Sequence, residues 1–165
     1  MEEHFRNSSY REKLVEHLFV GELLKESWKN KGCSLELSKP DVDNAGYDLI
    51  AEANGIIRHV QLKTAFLGAK TANQKVNIAL AEKVSGCVVW IFFDQDSLEL
   101  GPYLFFGGKP GQKLPNIDGC PTAKHTKGDS KGYKAERPNI RVIKKGLFKT
   151  YSSIPCLYAA LFVGT

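Results

Sequence analysis

Apolar residues recur every three or four positions between Tyr10 and Lys31, at Leu14, Val15, Leu18, Phe19, Leu23, Leu24 and Trp28, with no proline before Pro40. That spacing predicts a core-packed helix, with Gly32 as its stop. After a polar stretch from Lys39 to Gly46 the period falls to two. Tyr47 to Glu52 and Ile56 to Lys63 read as strands joined through Asn54-Gly55, a strong hairpin signal.

The turn fixes a register. With Asn54 and Gly55 at the centre of a type I′ turn, Ala53 pairs with Ile56 and paired numbers sum to 109. Asp48 then lies opposite Gln61, Leu49 opposite Val60 and Tyr47 opposite Leu62. Alternation puts His59, Gln61 and Lys63 on one face and Val60 and Leu62 on the other, which reads as core. A slip of one residue would bury Lys63 and expose Val60 and Leu62, so the pattern supports this register.

Further along, Gln74 to Leu80 alternates in a strand-like way and Ala81 to Gly86 reads as a short helical or turn piece. Cys87 to Phe93 is a nearly unbroken apolar run, the pattern of a strand buried on both faces, with Leu98 to Phe106 as its partner. Gly107 to Pro138 is a long loop rich in Gly, Pro and Lys, expected to order on nucleic acid or to cover the site as a flap. Asn139 to Ile143 reads as an edge strand. Ser153 to Phe162 reads as a terminal helix with Leu157, Leu161 and Phe162 inward. The whole is expected to be one α/β (α+β) domain.

Asp48 opening a strand, a short turn, and then Gln61-Leu62-Lys63 resembles the PD-(D/E)XK nuclease superfamily over residues from about 10 to 106, with glutamine at the position that more often carries an acid. The resemblance implies a restriction endonuclease-like αβββαβ core, a mixed central sheet flanked by helices, and magnesium-dependent cleavage of nucleic acid phosphodiesters. It makes Asp48 the motif aspartate, Gln61 the replacement for the acid and Lys63 the motif lysine. A neutral amide lowers the charge of such a site by one. A fold that has kept binding and lost the chemistry is the alternative.

Members of the superfamily also present a helix glutamate to the metal, and Arg11 to Leu18 looks like that segment. Glu16 is the candidate and Glu22 its rival; six residues separate them, about 240° around a helix, so one point cannot receive both. The competing structural role for Glu22 is an ion pair with Lys25. Asp48, Gln61 and Glu16 offer hard oxygen ligands, which suit Mg²⁺ with Mn²⁺ as a substitute. Lys63 would orient the attacking water or offset charge on the phosphorane, and His59 has an auxiliary place on the same face. Asp41, Asp43 and Asn44 read as loop and turn residues; the spacing and closing glutamate of an EF-hand are missing.

Charge sharpens the picture. Residues 1 to 108 carry 12 Lys and Arg against 15 Asp and Glu, a net of −3, whereas residues 109 to 165 carry 11 against 3, a net of +8. The cations Lys109, Lys113, Lys124, Lys127, Lys131, Lys134, Arg137, Arg141, Lys144, Lys145 and Lys149 are expected to meet a polyanion, DNA on the present reading, with Tyr133 and Phe148 available for stacking.

The 165 residues, 42% hydrophobic, suffice for one core. No stretch has the length of a membrane span and the first residues lack a signal-peptide pattern, so a cytoplasmic protein is expected. Cys33, Cys87, Cys120 and Cys156 have no paired spacing and His4, His17, His59 and His125 form no ligand pair, which disfavours a zinc site. No phosphate loop is present. A homodimer follows only from the resemblance.

Overall fold

The computed structural model describes residues 7–164; His4 lies outside them. Helix α1 runs over Ser8–Asn30 and α2 over Ile154–Phe162, the latter with proline in its first turn, where a missing N–H costs nothing. The strands are β1 Glu36–Ser38, β2 Leu49–Ala53, β3 Ile56–Phe66, β4 Asn73–Asn77, β5 Cys87–Phe93, β6 Leu100–Gly107, β7 Thr122–Lys124, β8 Glu136–Lys144 and β9 Lys149–Tyr151. A mixed six-stranded sheet has the order β1-β2-β3-β5-β6-β9, with β3 and β5 parallel. A three-stranded antiparallel sheet has the order β4-β8-β7. The fold is mixed α and β, as the sequence pattern implies.

The hairpin register agrees with the turn chemistry. Ala53 pairs with Ile56 and Leu49 with Val60, and Asn54 and Gly55 have φ of 53° and 74°, the two left-handed residues a type I′ turn needs. The ladder ends one step early, however. The Asp48 N–H donates to Val60 O at 2.9 Å, so Asp48 and Gln61 are not a cross-strand pair, and Tyr47 does not face Leu62. Tyr47 instead packs edge-on against His59, ring centroids 4.8 Å apart.

Both faces of the large sheet are covered, by different means. On one face α1 and α2 pack over Leu49, Val60, Val89, Ile91 and Tyr103. On the other, the small sheet and the loop after β6 close over Val88, Trp90, Leu104 and Phe106, with Val76, Leu114, Ile117, Ile143 and Phe148 supplying the cover. The flanking helices therefore lie on one side of the sheet, and the small sheet covers the other. The crossover between the parallel strands holds β4 and a 3₁₀ turn, Ile78–Glu82, instead of an α-helix. Every residue of β5 is buried, which accounts for its continuous apolar run.

Three local expectations need correction. Leu24 and Trp28 are exposed, because α1 turns Val15, Glu16, Phe19, Leu23, Glu26 and Ser27 inward. Ser27 takes a core-facing place because its Oγ accepts from Leu35 N at 3.1 Å and anchors the chain leading into β1. The segment expected as an edge strand is β8, the central strand of the small sheet. The loop from Gly107 to Pro138 is also less irregular than its composition suggests: Leu114, Ile117 and Ala123 are buried, β7 lies within it, and β8 begins at Glu136.

Among the described residues, no helix is long and apolar enough to cross a membrane.

Candidate active site at the end of the hairpin

Strand β3 has eleven residues and its partner β2 only five. Past Val60 the β2 side of β3 is therefore open, and the chain entering β2 fills part of the gap. Asp48 sits there. Its Oδ2 accepts from the Leu62 backbone N–H at 2.7 Å, satisfying a donor that β2 is too short to reach.

Around this point lies a cavity of about 610 Å³ lined by Glu16, Asp48, Gln61 and Lys63, together with Glu12, Lys13, Asp43 and Gln74. Glu16 comes from α1. Gln61 and Lys63 stand beside Val88 and Trp90 of β5 and so belong to the face under the small sheet. The four residues singled out in the sequence thus meet in one cavity, though from both sides of the β3 edge and not from one face.

Electrostatics in the cavity follow from burial. Burial raises the Asp48 carboxyl above its ordinary value, the Leu62 hydrogen bond and Lys63 opposing this and the charges of Asp43 and Glu16 adding to it. Lys63 is moved the other way: burial lowers its ammonium, Arg137 reinforces that, and Asp48, Glu12 and Asp43 resist. Two partly buried, opposite charges are held near one another at a net cost to each, an arrangement found at reactive sites.

Glu16 is 7% exposed and is gripped twice. Lys13 Nζ lies 2.9 Å from its Oε2, and Lys39 makes a still closer ion pair with Oε1. Burial works to raise this carboxyl, but the hydrogen bonds from Lys39 and Lys13 prevail and hold it below the ordinary range. The rival, Glu22, pairs with Lys25 at 2.7 Å, and it does not line the cavity. The ring of His59 is committed elsewhere, with Nδ1 at 2.8 Å from Val84 O, and it too is outside the lining.

The donor set suits a hard cation. Gln61 Oε1 is a buried acceptor with no hydrogen-bond partner, and a buried carbonyl oxygen in that state calls for a donor or an ion. With Asp48 and Glu16 it offers oxygens of the kind magnesium takes. Among the described residues no group of three His, Cys, Asp or Glu side chains is placed to hold a metal, so the Gln61 oxygen and waters would have to complete such a shell.

Sequence reasoning missed Asp43, Lys13 and Lys39. Asp43 sits in a polar loop beside Asp41 and nothing local separates the two; only the path of the loop past the β3 edge brings Asp43 to the cavity. Lys13 had a readable signal in its three-residue spacing from Glu16.

The C-terminal cations divide into groups. Residues 124 to 139 are all exposed and form an arm between β7 and β8. His125 N–H donates to Ala135 O and Asp129 N–H to Tyr133 O, at 2.9 and 2.8 Å, which continues the pairing outward as a hairpin. Lys124, Lys127, Lys131, Lys134 and Arg137 lie on this arm, and Tyr133 is 68% exposed near its tip. Arg141 donates to Pro138 O at 2.6 Å near the root. Lys144 is exposed at the end of β8. Lys145 lies over the Trp90 and Phe92 rings, 5.7 and 4.8 Å from their centroids. Lys113 pairs with Glu82, and Lys109 and Lys149 border a separate cavity by β6 and β9. Phe148 is core, packed on Trp90 and Phe106, and is no stacking platform. The four cysteines are free.

Compared with known proteins, the chain matches no protein-family model and no curated protein.

Proposed function

We propose that this protein is a magnesium-dependent endonuclease acting on DNA, of the kind its resemblance to the PD-(D/E)XK superfamily implies. The observation that carries the reading is the single cavity in which Asp48, the partnerless oxygen of Gln61, Lys63 and Glu16 converge at the open edge of β3. The exposed basic arm supports a polyanionic partner, since Lys and Arg that meet phosphates release condensed counterions.

Asp48, Gln61 and Glu16 would hold the magnesium, which when bound supplies a Lewis acid for the scissile phosphate and a water of lowered pKa. The chain's own part is positioning. Leu62 N–H fixes the Asp48 carboxylate against rotation. The Lys63 ammonium, desolvated and therefore a stronger electrostatic partner, donates to the phosphoryl oxygens as charge builds on them. Arg137, near enough to Lys63 to act on its charge, would offer the backbone a second cation. A homodimer cutting two strands, and work in a reducing cytoplasm that suits four free thiols, belong to the same proposal.

The second reading, a DNA-binding module without chemistry, is favoured by one observation: Glu16 already has two lysine partners. Incubation of plasmid and branched DNA with the protein in Mg²⁺ or Mn²⁺, beside Lys63→Ala and an EDTA control, separates the two. Nicking lost in both controls supports the endonuclease. Intact DNA that is nevertheless retained by the wild type supports the binding module.

A further inference from the structure

Asp43 lines the cavity just described, and its chain neighbour Asn44 lines another, of about 560 Å³. Two residues further on, Gly46 lies against Asn77 of the second cavity. At φ of +75° Gly46 approaches Asn77 so closely that a Cβ would lie 2.6 Å from the Asn77 Cβ, so a side chain there would push the two apart.

The second cleft is unusual in its chemistry. Four carboxamides reach it, from Asn44, Asn77, Asn116 and Asn139. Two of them are oriented by the backbone. Asn77 Oδ1 accepts from Ala79 N at 2.9 Å and Asn116 Oδ1 from Asp118 N at 2.8 Å, which leaves each NH₂ as a donor. Asn44 and Asn139 are exposed and each offers a donor and an acceptor. Ile78 and Ile117 supply apolar surface, while Asp118 and Glu82, the latter paired with Lys113, also line the cleft and disfavour a phosphate within it. A neutral planar group with a mixed donor and acceptor edge fits this set, and a carboxamide pairs with such an edge through two hydrogen bonds at once, as with adenine.

We propose that this cleft is a nucleobase subsite, reading the edge of a base in the strand whose backbone enters the neighbouring cavity. The assignment rests on the nucleic-acid reading of the first cavity. The two clefts meet at Asp43 and Asn44, and β8 runs beside both: Asn139 lines the second cleft, and Arg137, two residues earlier and about 7 Å away along the strand, lies near enough to Lys63 to act on its charge, so a phosphate near Arg137 and a base near Asn139 can belong to adjoining parts of one nucleotide chain.

The test uses the full chain labelled with ¹⁵N. The four nucleosides, and inorganic phosphate as a control, are titrated to about 10 mM, because a lone base is a fragment of millimolar affinity. The side-chain NH₂ resonances of Asn77 and Asn139 are expected to shift with at least one nucleoside and not with phosphate, and the Asn139→Ala variant is expected to lose the response. Absence of any nucleoside shift, or shifts that follow phosphate, overturns the subsite.

A cleavage arm separates its fate from that of the nuclease reading. On a randomised DNA pool, the base preference of Asn139→Ala at one position is expected to relax between about fivefold and a hundredfold. Nucleoside shifts without cleavage would sink the nuclease and leave the subsite. Cleavage with an unchanged preference and no shifts would do the reverse.

Discussion

The carboxylate of Asp48 accepts the backbone N–H of Leu62 at 2.7 Å, one residue before the lysine whose charge it balances. The side chain thereby completes the ladder that β2 leaves unfinished, and its role in the fold can be separated from its charge. Asp48→Asn keeps an acceptor for Leu62 and removes a buried charge that the folded state disfavours. It is expected to be at least as stable as the wild type at pH 7. Asp48→Ala strands the Leu62 N–H and is expected to lose about 1 to 3 kcal/mol. Urea denaturation of the three proteins checks both; a destabilised Asp48→Asn would mean that the charge supports the fold.

For Glu16 the sign reverses. Its folded value lies below the ordinary 4.5, so its contribution is complete above pH 4.5 and is lost as the pH falls through the folded value. The stability gap between wild type and Glu16→Gln is expected to be constant near neutrality and to close under acid. Lys13→Met with Lys39→Met leaves this buried carboxylate without its ammonium partners and is expected to cost about 1 to 3 kcal/mol, less than a fully buried broken pair because both lysines are partly solvated. Denaturation at a series of pH values reads both effects.

Arg58 is fully buried and donates to Leu161 O, Gly108 O and Ala160 O at 2.8, 3.0 and 3.2 Å. Two of these carbonyls end α2, where a cation is also favoured by the helix dipole. Arg58→Met strands these carbonyls and is expected to destabilise by about 1 to 3 kcal/mol, and Arg58→Lys to recover little of it, since one ammonium cannot reproduce the planar fork. Recovery to wild-type stability in the lysine variant would contradict this.

On the basic arm, Lys127→Ala, Lys131→Ala and Lys134→Ala combined are expected to lower the slope of log affinity against log salt on duplex DNA by about 2 to 3, each lysine accounting for about one phosphate contact. An unchanged slope would remove the arm from the interface.

The hairpin was legible because Asn54-Gly55 and a period of two determine a register by themselves, and β5 because seven consecutive apolar residues admit few alternatives. Lys63 and Gln61 followed from that register. Asp48 reached the same cavity by another route, since pairing patterns do not reveal where a ladder stops. Leu24 and Trp28 misled because helical periodicity marks an apolar stripe without showing how much of it the sheet covers. The pairing of the small sheet was hidden for a related reason: the partners in β4 and β8 lie 63 to 71 positions apart in sequence, and a strand carries no sign of a distant partner. Asp43 and Lys39 are ordinary loop charges until the loop is folded past β3.

Strand β3 is tied at one end to the chain 103 positions later, through Arg58 and Leu161, and carries Gln61 and Lys63 toward the other. Closing so long a loop is entropically expensive and slow. Every residue that lines the cavity falls between Ser9 and Ile91, yet the strand that carries two of them is anchored at its other end by the last helix of the chain, so the shape of the cavity depends on a segment that contributes nothing to its lining.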